Sequence, residues 1–222
     1  MRTRRTRSAL VAACATLLLS GAAAMPAVAQ PRPAGPAPSA AFGLTPLVTL
    51  TDLFAERLLV ADKVAAAKYG TDRPIDDPAR EQQVLDDVAT RAVGLRLEPD
   101  VVVTVFEDQI EANKLVQRGL YAHWDAHPEQ RPTRRPDLDK EVRPELDRIT
   151  TQVLDTLVAT EGVRSAPSYE LRLHGAAARS AYSHGLDVLH LKGMERALPP
   201  CRGGASALCG VVVRLPGVLG RA

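Results

Sequence analysis

Several polar side chains occupy helix positions at which the surrounding pattern calls for apolar residues. Arg57 and Lys68 are 11 residues apart, which is three helical turns, so both lie on one face of a predicted helix. Asn113 and Gln117 share a face of a second predicted helix at i and i+4. Arg80 lies at the start of the apolar face of a third predicted helix. The sequence therefore places cations and amides where a helical protein would otherwise have its core.

These polar residues have two interpretations. Burying an unpaired cation is expensive, so one interpretation puts Arg57 and Lys68 at the rim or pairs them with Asp62, Asp76 or Asp77. The other is a cavity lined by cations and amides, and it is favoured because the residues come from three helices. Such a cavity suits a small polyanion, above all one with carboxylates, because Arg binds a carboxylate through two parallel hydrogen bonds.

The helical period predicts three helices in the first half of the chain. The first covers about residues 47–70, where apolar residues recur at steps of three and four. The second runs over about 77–95, because Asp77 followed by Pro78 is typical of an N-cap and a first helical residue. The third covers about 98–127.

Two more helical segments follow a Pro-rich and Arg-rich loop. One covers roughly 138–160, in which Pro144 either kinks the helix or marks its true start. The other is a weaker stretch over 167–198 that contains three glycines. The histidines of this stretch have no partner acid at metal-binding spacing, and we expect them at the surface: His174, His184 and His190.

These elements predict an all-α fold, a multi-helix bundle without strands. Aromatic residues make up only 4% of the chain, which argues against a β-sandwich. We expect the helical domain to occupy residues 46–198 and leave 199–222 as an unassigned C-terminal tail.

The N-terminus is typical of an export signal. Residues 1–7 carry four arginines and no acid, 8–19 are apolar, and Ala27-Val28-Ala29 is a small-x-small cleavage site. We expect a mature chain that starts near Gln30, with 30–45 as a flexible leader. No later segment reaches 18 apolar residues, so we expect a secreted or periplasmic protein with no stable membrane anchor after cleavage.

Cleavage would remove Cys14 and leave Cys201 and Cys209. An even pair in an oxidising compartment favours one disulfide. Two free thiols in the tail are the alternative.

The charge balance argues against a nucleic-acid ligand, and the residues around His123 and His127 argue against a zinc site. Residues 30–222 carry 24 basic and 26 acidic residues, whereas a nucleic-acid binder has a basic stripe or a high pI. His123 and His127 have zinc-ligand spacing, but Trp124 stands where a zincin motif needs Glu. We therefore expect neither a nucleic-acid partner nor a bound metal.

A set of short motifs with consistent spacing runs from about residue 47 to residue 157. It comprises Glu56-Arg57-Leu58, Val60-Ala61-Asp62, Val64-Ala65, Lys68-Tyr69, Pro74-Ile75-Asp76-Asp77, Arg80-Glu81, Phe106, Gln109-Ile110, Asn113, Gln117, Pro136-Asp137-Leu138, Arg143 and Leu146-Asp147. This set resembles the all-helical class of chorismate mutases, and the export signal and the chain length fit the exported subclass.

The resemblance implies conversion of chorismate to prephenate by a Claisen rearrangement. It implies no cofactor, since the enzyme has to hold a flexible dianion in a chair-like shape and to stabilise charge at the breaking ether bond. It also implies a homodimer with each active site inside one protomer.

The resemblance assigns the ether and carboxylate contacts to four residues. Arg57 and Arg143 would bind substrate carboxylates, and Lys68 would donate to the ether oxygen and an adjacent carboxylate. Gln117 would donate a second hydrogen bond to the ether oxygen. Because Gln needs no added proton to donate, we expect an activity that varies little with pH around neutrality.

Four further residues would hold the rest of the substrate. Arg80 and Asn113 would position the enolpyruvyl side. Glu81 and the backbone of Asp77 would hold the ring hydroxyl.

Two alternatives differ from a live enzyme. The chain could be an exported helical binding protein that sequesters a small carboxylate in the same cavity, or a family member whose catalysis has decayed. Lys68 and Gln117 discriminate among them, because a pure binding protein has no need of two donors aimed at an ether oxygen. Both donors are present, which favours the enzyme.

Overall fold

Helices form nearly all of the regular structure. The computed structural model describes residues 44–199, and this part of the chain contains no strand, which confirms the all-α prediction. Its α-helices are α1 (Leu44–Lys68), α2 (Pro78–Gly94), α3 (Pro99–Ala126), α4 (Arg143–Arg164), α5 (Tyr169–Ser183) and α6 (Val188–Arg196). A short 3-10 turn, Pro128–Gln130, follows α3, and a π-helical turn, Leu138–Val142, leads into α4.

Several predictions concern residues outside the described part of the chain. These are the export signal, residues 30–43 of the expected leader, the tail from residue 200, and the pair Cys201 and Cys209. Within residues 44–199, no helix combines the length and the apolar character that crossing a membrane requires.

The start of α2 follows the predicted capping chemistry. The Asp77 carboxylate accepts a hydrogen bond from the backbone N–H of Arg80 at 3.1 Å, and Pro78 is the first helical residue. A second hydrogen bond runs in the opposite direction along the chain, because Glu81 Oε1 accepts from the backbone N–H of Asp77 at 3.1 Å. This exchange resembles a capping box with the acid one residue later, and it fixes the direction in which α2 leaves the preceding loop.

The core surrounds α1, which packs against α3, α4 and α5. Leu47, Leu50 and Leu58 of α1 are almost fully buried, as are Phe106 of α3 and Ile149 of α4. Burying aliphatic and aromatic side chains of this size stabilises a fold by about 1.5–3 kcal/mol each. The central position of α1 explains why any polar residue on its inner face, such as those predicted above, has to be buried or line a cavity.

A glycine permits the close approach of α6. A Cβ added at Gly193 would lie 2.9 Å from a methyl carbon of Leu58 on α1 and 2.9 Å from one of Val116 on α3. These distances are shorter than van der Waals contact, so Gly193 lets α6 lie directly on α1 and α3.

The last two predicted segments differ in detail from the structure. The single stretch expected over 167–198 is two helices, α5 and α6, because Gly185 adopts a positive φ of 63° that few other residues tolerate. Asp187 then caps α6 by accepting from the backbone N–H of His190 at 2.8 Å. Pro144 is the second residue of α4, so it marks the start of a regular helix rather than a kink within one.

The expectation that all three late histidines lie at the surface is wrong for His190. Its side chain is buried, with 4% of the residue exposed. Nε2 lies 2.9 Å from Asp62 of α1, and Nδ1 lies 2.7 Å from Asp187. His174 and His184 are partly exposed. The carboxylates compensate the burial of the imidazole, and one of them is contributed by a distant part of the chain.

Candidate active site

The four helices α1, α2, α3 and α4, with the loop before α2, enclose a cavity of about 710 Å³, within the size range of about 300–1,000 Å³ typical of small-molecule sites. Seven lining side chains are cationic and four are carboxylates, which leaves a net charge of +3 in a chain whose residues 30–222 carry −2. The structure brings all eight predicted site residues into this lining: Arg57, Lys68, Asp77, Arg80, Glu81, Asn113, Gln117 and Arg143.

Arg57 lies deepest among the cations, with only 7% of the residue exposed. One terminal nitrogen donates to Thr150 Oγ1 at 3.3 Å, and the guanidinium carbon lies 5.5 Å from the centre of the Phe106 ring. Its Nε has no hydrogen-bond partner within residues 44–199. Burial lowers the pKa of Arg57 to about 10, partly opposed by the charge of Asp147, so the group stays a cation at neutral pH with donors left for an anion.

Lys68 stands at the end of α1 and faces the same cavity. Its Nζ donates to the backbone oxygen of Pro74 at 2.8 Å, and an ammonium has two further N–H donors. Burial lowers the pKa of Lys68, the charge of Arg143 adds to this, and three carboxylates oppose it, those of Asp77, Glu81 and Asp76. The net shift is downward because burial of the ammonium outweighs the three carboxylates.

Asn113 and Gln117 contribute the amides of the lining from α3. Asn113 Nδ2 donates to the backbone oxygen of Arg57 at 3.3 Å, and Gln117 Nε2 donates to Asn113 Oδ1 at 2.7 Å. Gln117 is buried, with 3% of the residue exposed. This chain of hydrogen bonds fixes the Gln117 amide and leaves one of its N–H groups for a ligand.

Arg80 lies at the exposed rim of the cavity. It occupies the first turn of α2, three residues after the cap Asp77, and one terminal nitrogen donates to Gln83 Oε1 at 3.2 Å. The remaining guanidinium donors are available to a bound anion. Glu81 follows directly and lines the cavity through a carboxylate that is held at both oxygens.

Arg143 reaches the cavity from the first residue of α4. It forms an ion pair with Asp139 of the π-helical turn. Its charge contributes to the lowered pKa of Lys68. The proline that follows does not remove Arg143 from the site, since Arg143 lines the cavity and Pro144 is accommodated as the second residue of α4.

Some lining residues were missed by sequence reasoning, although one of them, Arg91, carries the same signal as the predicted ones. Arg91 follows Arg80 by 11 residues, the spacing that singled out Arg57 and Lys68, and it donates to Thr151 Oγ1 at 2.7 Å. Lys114 lies between Asn113 and Gln117 on α3 and is buried. The other missed polar residues of the lining are Arg73, Gln83, Asp87, Asp147 and Thr150.

Comparison with known proteins agrees with this architecture. The family model of chorismate mutase type II matches residues 48–118. A secreted chorismate mutase of Mycobacterium tuberculosis (strain ATCC 25618 / H37Rv) is 33% identical over 175 residues, 76% of this chain and 87% of the relative. A secreted chorismate mutase of Mycolicibacterium smegmatis (strain ATCC 700084 / mc(2)155) is 35% identical over 69% of this chain and 84% of the relative.

A crystal structure is also similar. Chorismate mutase from Burkholderia phymatum superimposes with a TM-score of 0.67 at 33% identity, covering 70% of this chain and 94% of that chain. The likeness extends over most of the described helices and is not confined to the region that the family model matches. At 33% identity over 76% of its length, the chain belongs to the chorismate mutase type II family.

Proposed function

We propose that this protein is a secreted chorismate mutase, which converts chorismate to prephenate. The observation that carries the proposal is the cationic cavity between α1, α2, α3 and α4, which is lined by the buried guanidinium of Arg57. A buried cation of this kind stabilises an anionic ligand more than an exposed one, because less water competes for it.

The reaction is an intramolecular Claisen rearrangement, in which the ether C–O bond breaks while a C–C bond forms. It requires no cofactor and no covalent intermediate. The enzyme has to hold the dianion in the reactive shape and to stabilise the charge that develops on the ether oxygen. A rate enhancement of about 10⁶ corresponds to roughly 8 kcal/mol, which a few fixed donors in a partly closed cavity supply at about 2.7–4 kcal/mol each.

In this proposal, four residues contact the reacting part of the substrate. Arg57 and Arg143 bind carboxylates, Arg57 from the buried end of the cavity and Arg143 from the start of α4. Lys68 and Gln117 donate to the ether oxygen. Support for these two roles comes from their remaining donors, because each donates one hydrogen bond within residues 44–199 and has at least one further N–H.

Four more residues hold the periphery of the substrate. Arg80 and Asn113 position the enolpyruvyl side, while Glu81 and the Asp77 backbone hold the ring hydroxyl. Arg80 is exposed at the rim of the cavity and suits a late step in binding, in which it contacts a ligand already held by Arg57. The hydrogen bond between Asp77 and Glu81 supports a joint role for this pair.

Export and assembly belong to the same proposal. The relatives from both mycobacteria are named as secreted, and residues 1–29 of this chain have the pattern of an export signal. We propose cleavage near Gln30, a homodimeric enzyme in the secreted or periplasmic space, and either one disulfide or two thiols at Cys201 and Cys209.

The experiment is a turnover assay with the purified protein, which follows chorismate by its ultraviolet absorbance and identifies the product. The proposal predicts stoichiometric formation of prephenate without added metal or cofactor. Absence of turnover in a folded, helical protein would contradict it. Calorimetry with chorismate would then separate a carboxylate-binding protein, which releases or absorbs heat on binding, from a decayed relative that does not bind.

A further inference from the structure

Lys114 combines burial with an unusual number of acidic neighbours. Only 8% of the residue is exposed, and its Nζ lies 3.0 Å from Glu81 and 3.4 Å from Asp76. It also forms an ion pair with Glu111, one turn earlier on α3. The three carboxylates come from α2, from the loop before α2 and from α3 itself, so one ammonium joins three separate pieces of the chain.

The contact with Glu81 continues to the start of α2. One carboxylate oxygen of Glu81 accepts from Lys114, and the other accepts from the backbone N–H of Asp77. Asp77 in turn accepts from the N–H of Arg80. The position of Arg80 at the cavity rim is therefore linked to α3 through a continuous path of hydrogen bonds that begins at Lys114.

Glu81, the partner of Lys114, also acts on Lys68. Burial lowers the pKa of Lys68, and the charge of Glu81 is one of the effects that oppose this, so the two groups interact across the cavity. With Lys114 in place, Glu81 has an ammonium partner of its own on α3. Without Lys114, Glu81 loses this partner, and an ion pair with Lys68 in its place would occupy a donor that the substrate needs.

We propose that Lys114 is a positioning residue, which holds Glu81 and the first turn of α2 so that Arg80 and Lys68 keep their donors directed at the substrate. This inference rests on the proposed function. Lys114 acts through Glu81, so its effect on catalysis has to disappear when Glu81 no longer carries a charge.

A double-mutant cycle tests this dependence. Lys114→Met is expected to lower kcat/KM for chorismate by about tenfold or more. In the Glu81→Gln background, the same change is expected to cost less than about threefold, because interacting residues are not additive. Lys114→Arg, which keeps the charge, is expected to stay within about threefold of the parent. If Lys114→Met does not fold, Lys114→Gln takes its place in the cycle.

Arg118→Met is the matched control. Arg118 is one turn further along α3 and contacts Asp76 at 2.5 Å, but it is exposed and lies outside the cavity lining. It is expected to stay within about twofold of the parent. An equal loss from Lys114→Met in both Glu81 backgrounds, or no loss in a folded Lys114→Met protein, would overturn the positioning role.

Hydrogen exchange separates this inference from the proposed function. Lys114→Met is expected to speed exchange of the Asp77 and Arg80 amides, whereas Arg118→Met leaves both unchanged. This readout does not require turnover. An inactive parent protein would contradict the proposed function alone. Unchanged exchange of these two amides in Lys114→Met would overturn the link from Lys114 to α2, whether or not the protein is active.

Discussion

Gln117 donates a 2.7 Å hydrogen bond to the side-chain oxygen of Asn113, one turn earlier on α3, while its own Oε1 has no partner within residues 44–199. The amide is thus held from one side only. A ligand in the cavity can accept from its second N–H, and this makes Gln117 a donor whose strength does not depend on protonation.

The pH dependence of catalysis tests this role. We expect kcat/KM of the parent protein to vary by less than about threefold between about pH 6 and pH 8, since the amide does not titrate. Gln117→Glu is expected to lose activity as pH rises, because a carboxyl donates only when protonated and its ordinary pKa is about 4.3. A steep fall in parental activity with rising pH, recorded over the same range, would contradict the assignment.

The buried guanidinium of Arg57 predicts opposite effects on activity and stability. Arg57→Met should abolish most turnover, but its Tm should be unchanged or higher, because a buried charge with an unpartnered Nε is replaced by an apolar chain of similar length. Thermal unfolding beside the chorismate assay checks both. A Tm lowered by more than about 4 °C, which is about 1 kcal/mol or more for a domain of this size, would show that Arg57 stabilises the fold instead.

His190 predicts a loss of stability at high pH. Burial alone would lower its pKa, but the hydrogen bonds to Asp62 and Asp187 outweigh this and raise the pKa to about 9, above the value of about 6.5 in an unfolded chain. The stabilisation is therefore fully present below about pH 6.5 and disappears as pH rises through about 9. We expect it to contribute about 2 kcal/mol, as hydrogen bonds to charged groups do.

Denaturant unfolding at several pH values measures this contribution. The free energy of unfolding of the parent should exceed that of His190→Gln at pH 6, and the difference should shrink above about pH 9. His174→Gln, on α5 and partly exposed, serves as the control. A difference that stays constant with pH would mean that His190 stabilises the fold without its charge.

Two glycine substitutions test the packing of α6. Gly193→Ala is expected to destabilise the protein by about 1–3 kcal/mol, because the new methyl group would overlap Leu58 and Val116. Gly175→Ala, inside α5, meets nothing within 4 Å and should stabilise by up to about 1 kcal/mol through helix propensity. Equal Tm values for the two variants would contradict the close approach of α6.

The sequence predicts best those features that depend on neighbouring residues. The period of three and four, together with Asp77-Pro78, was sufficient for the first three helices and for the cap of α2. The break between α5 and α6 was not predicted, because Gly175, Gly185 and Gly193 look alike in the sequence. Only Gly185 adopts a positive φ, whereas Gly193 accommodates a close helix contact.

Long-range pairing explains two features that sequence reasoning missed, one in the core and one at the site. His190 and Asp62 are separated by 128 positions, so the sequence alone gave no reason to bury that imidazole. Lys114 looked like an ordinary charged residue on a helix, since Asp76 and Glu81 approach it only after α2 folds against α3. Polar residues on an apolar face were a sufficient signal to place Arg57 of α1 and Gln117 of α3 in the cavity lining, because each helix has to bury that face.

The most direct measurement compares two lysines of α1 in the chorismate assay. Lys68 lines the cavity, whereas Lys63 is exposed, pairs with Glu145 at 2.6 Å and lies outside the lining. We expect Lys68→Ala to lower kcat by about 10²–10³-fold and Lys63→Ala to leave it within about twofold, with both proteins equally helical. Equal activity of the two variants would contradict catalysis by this cavity.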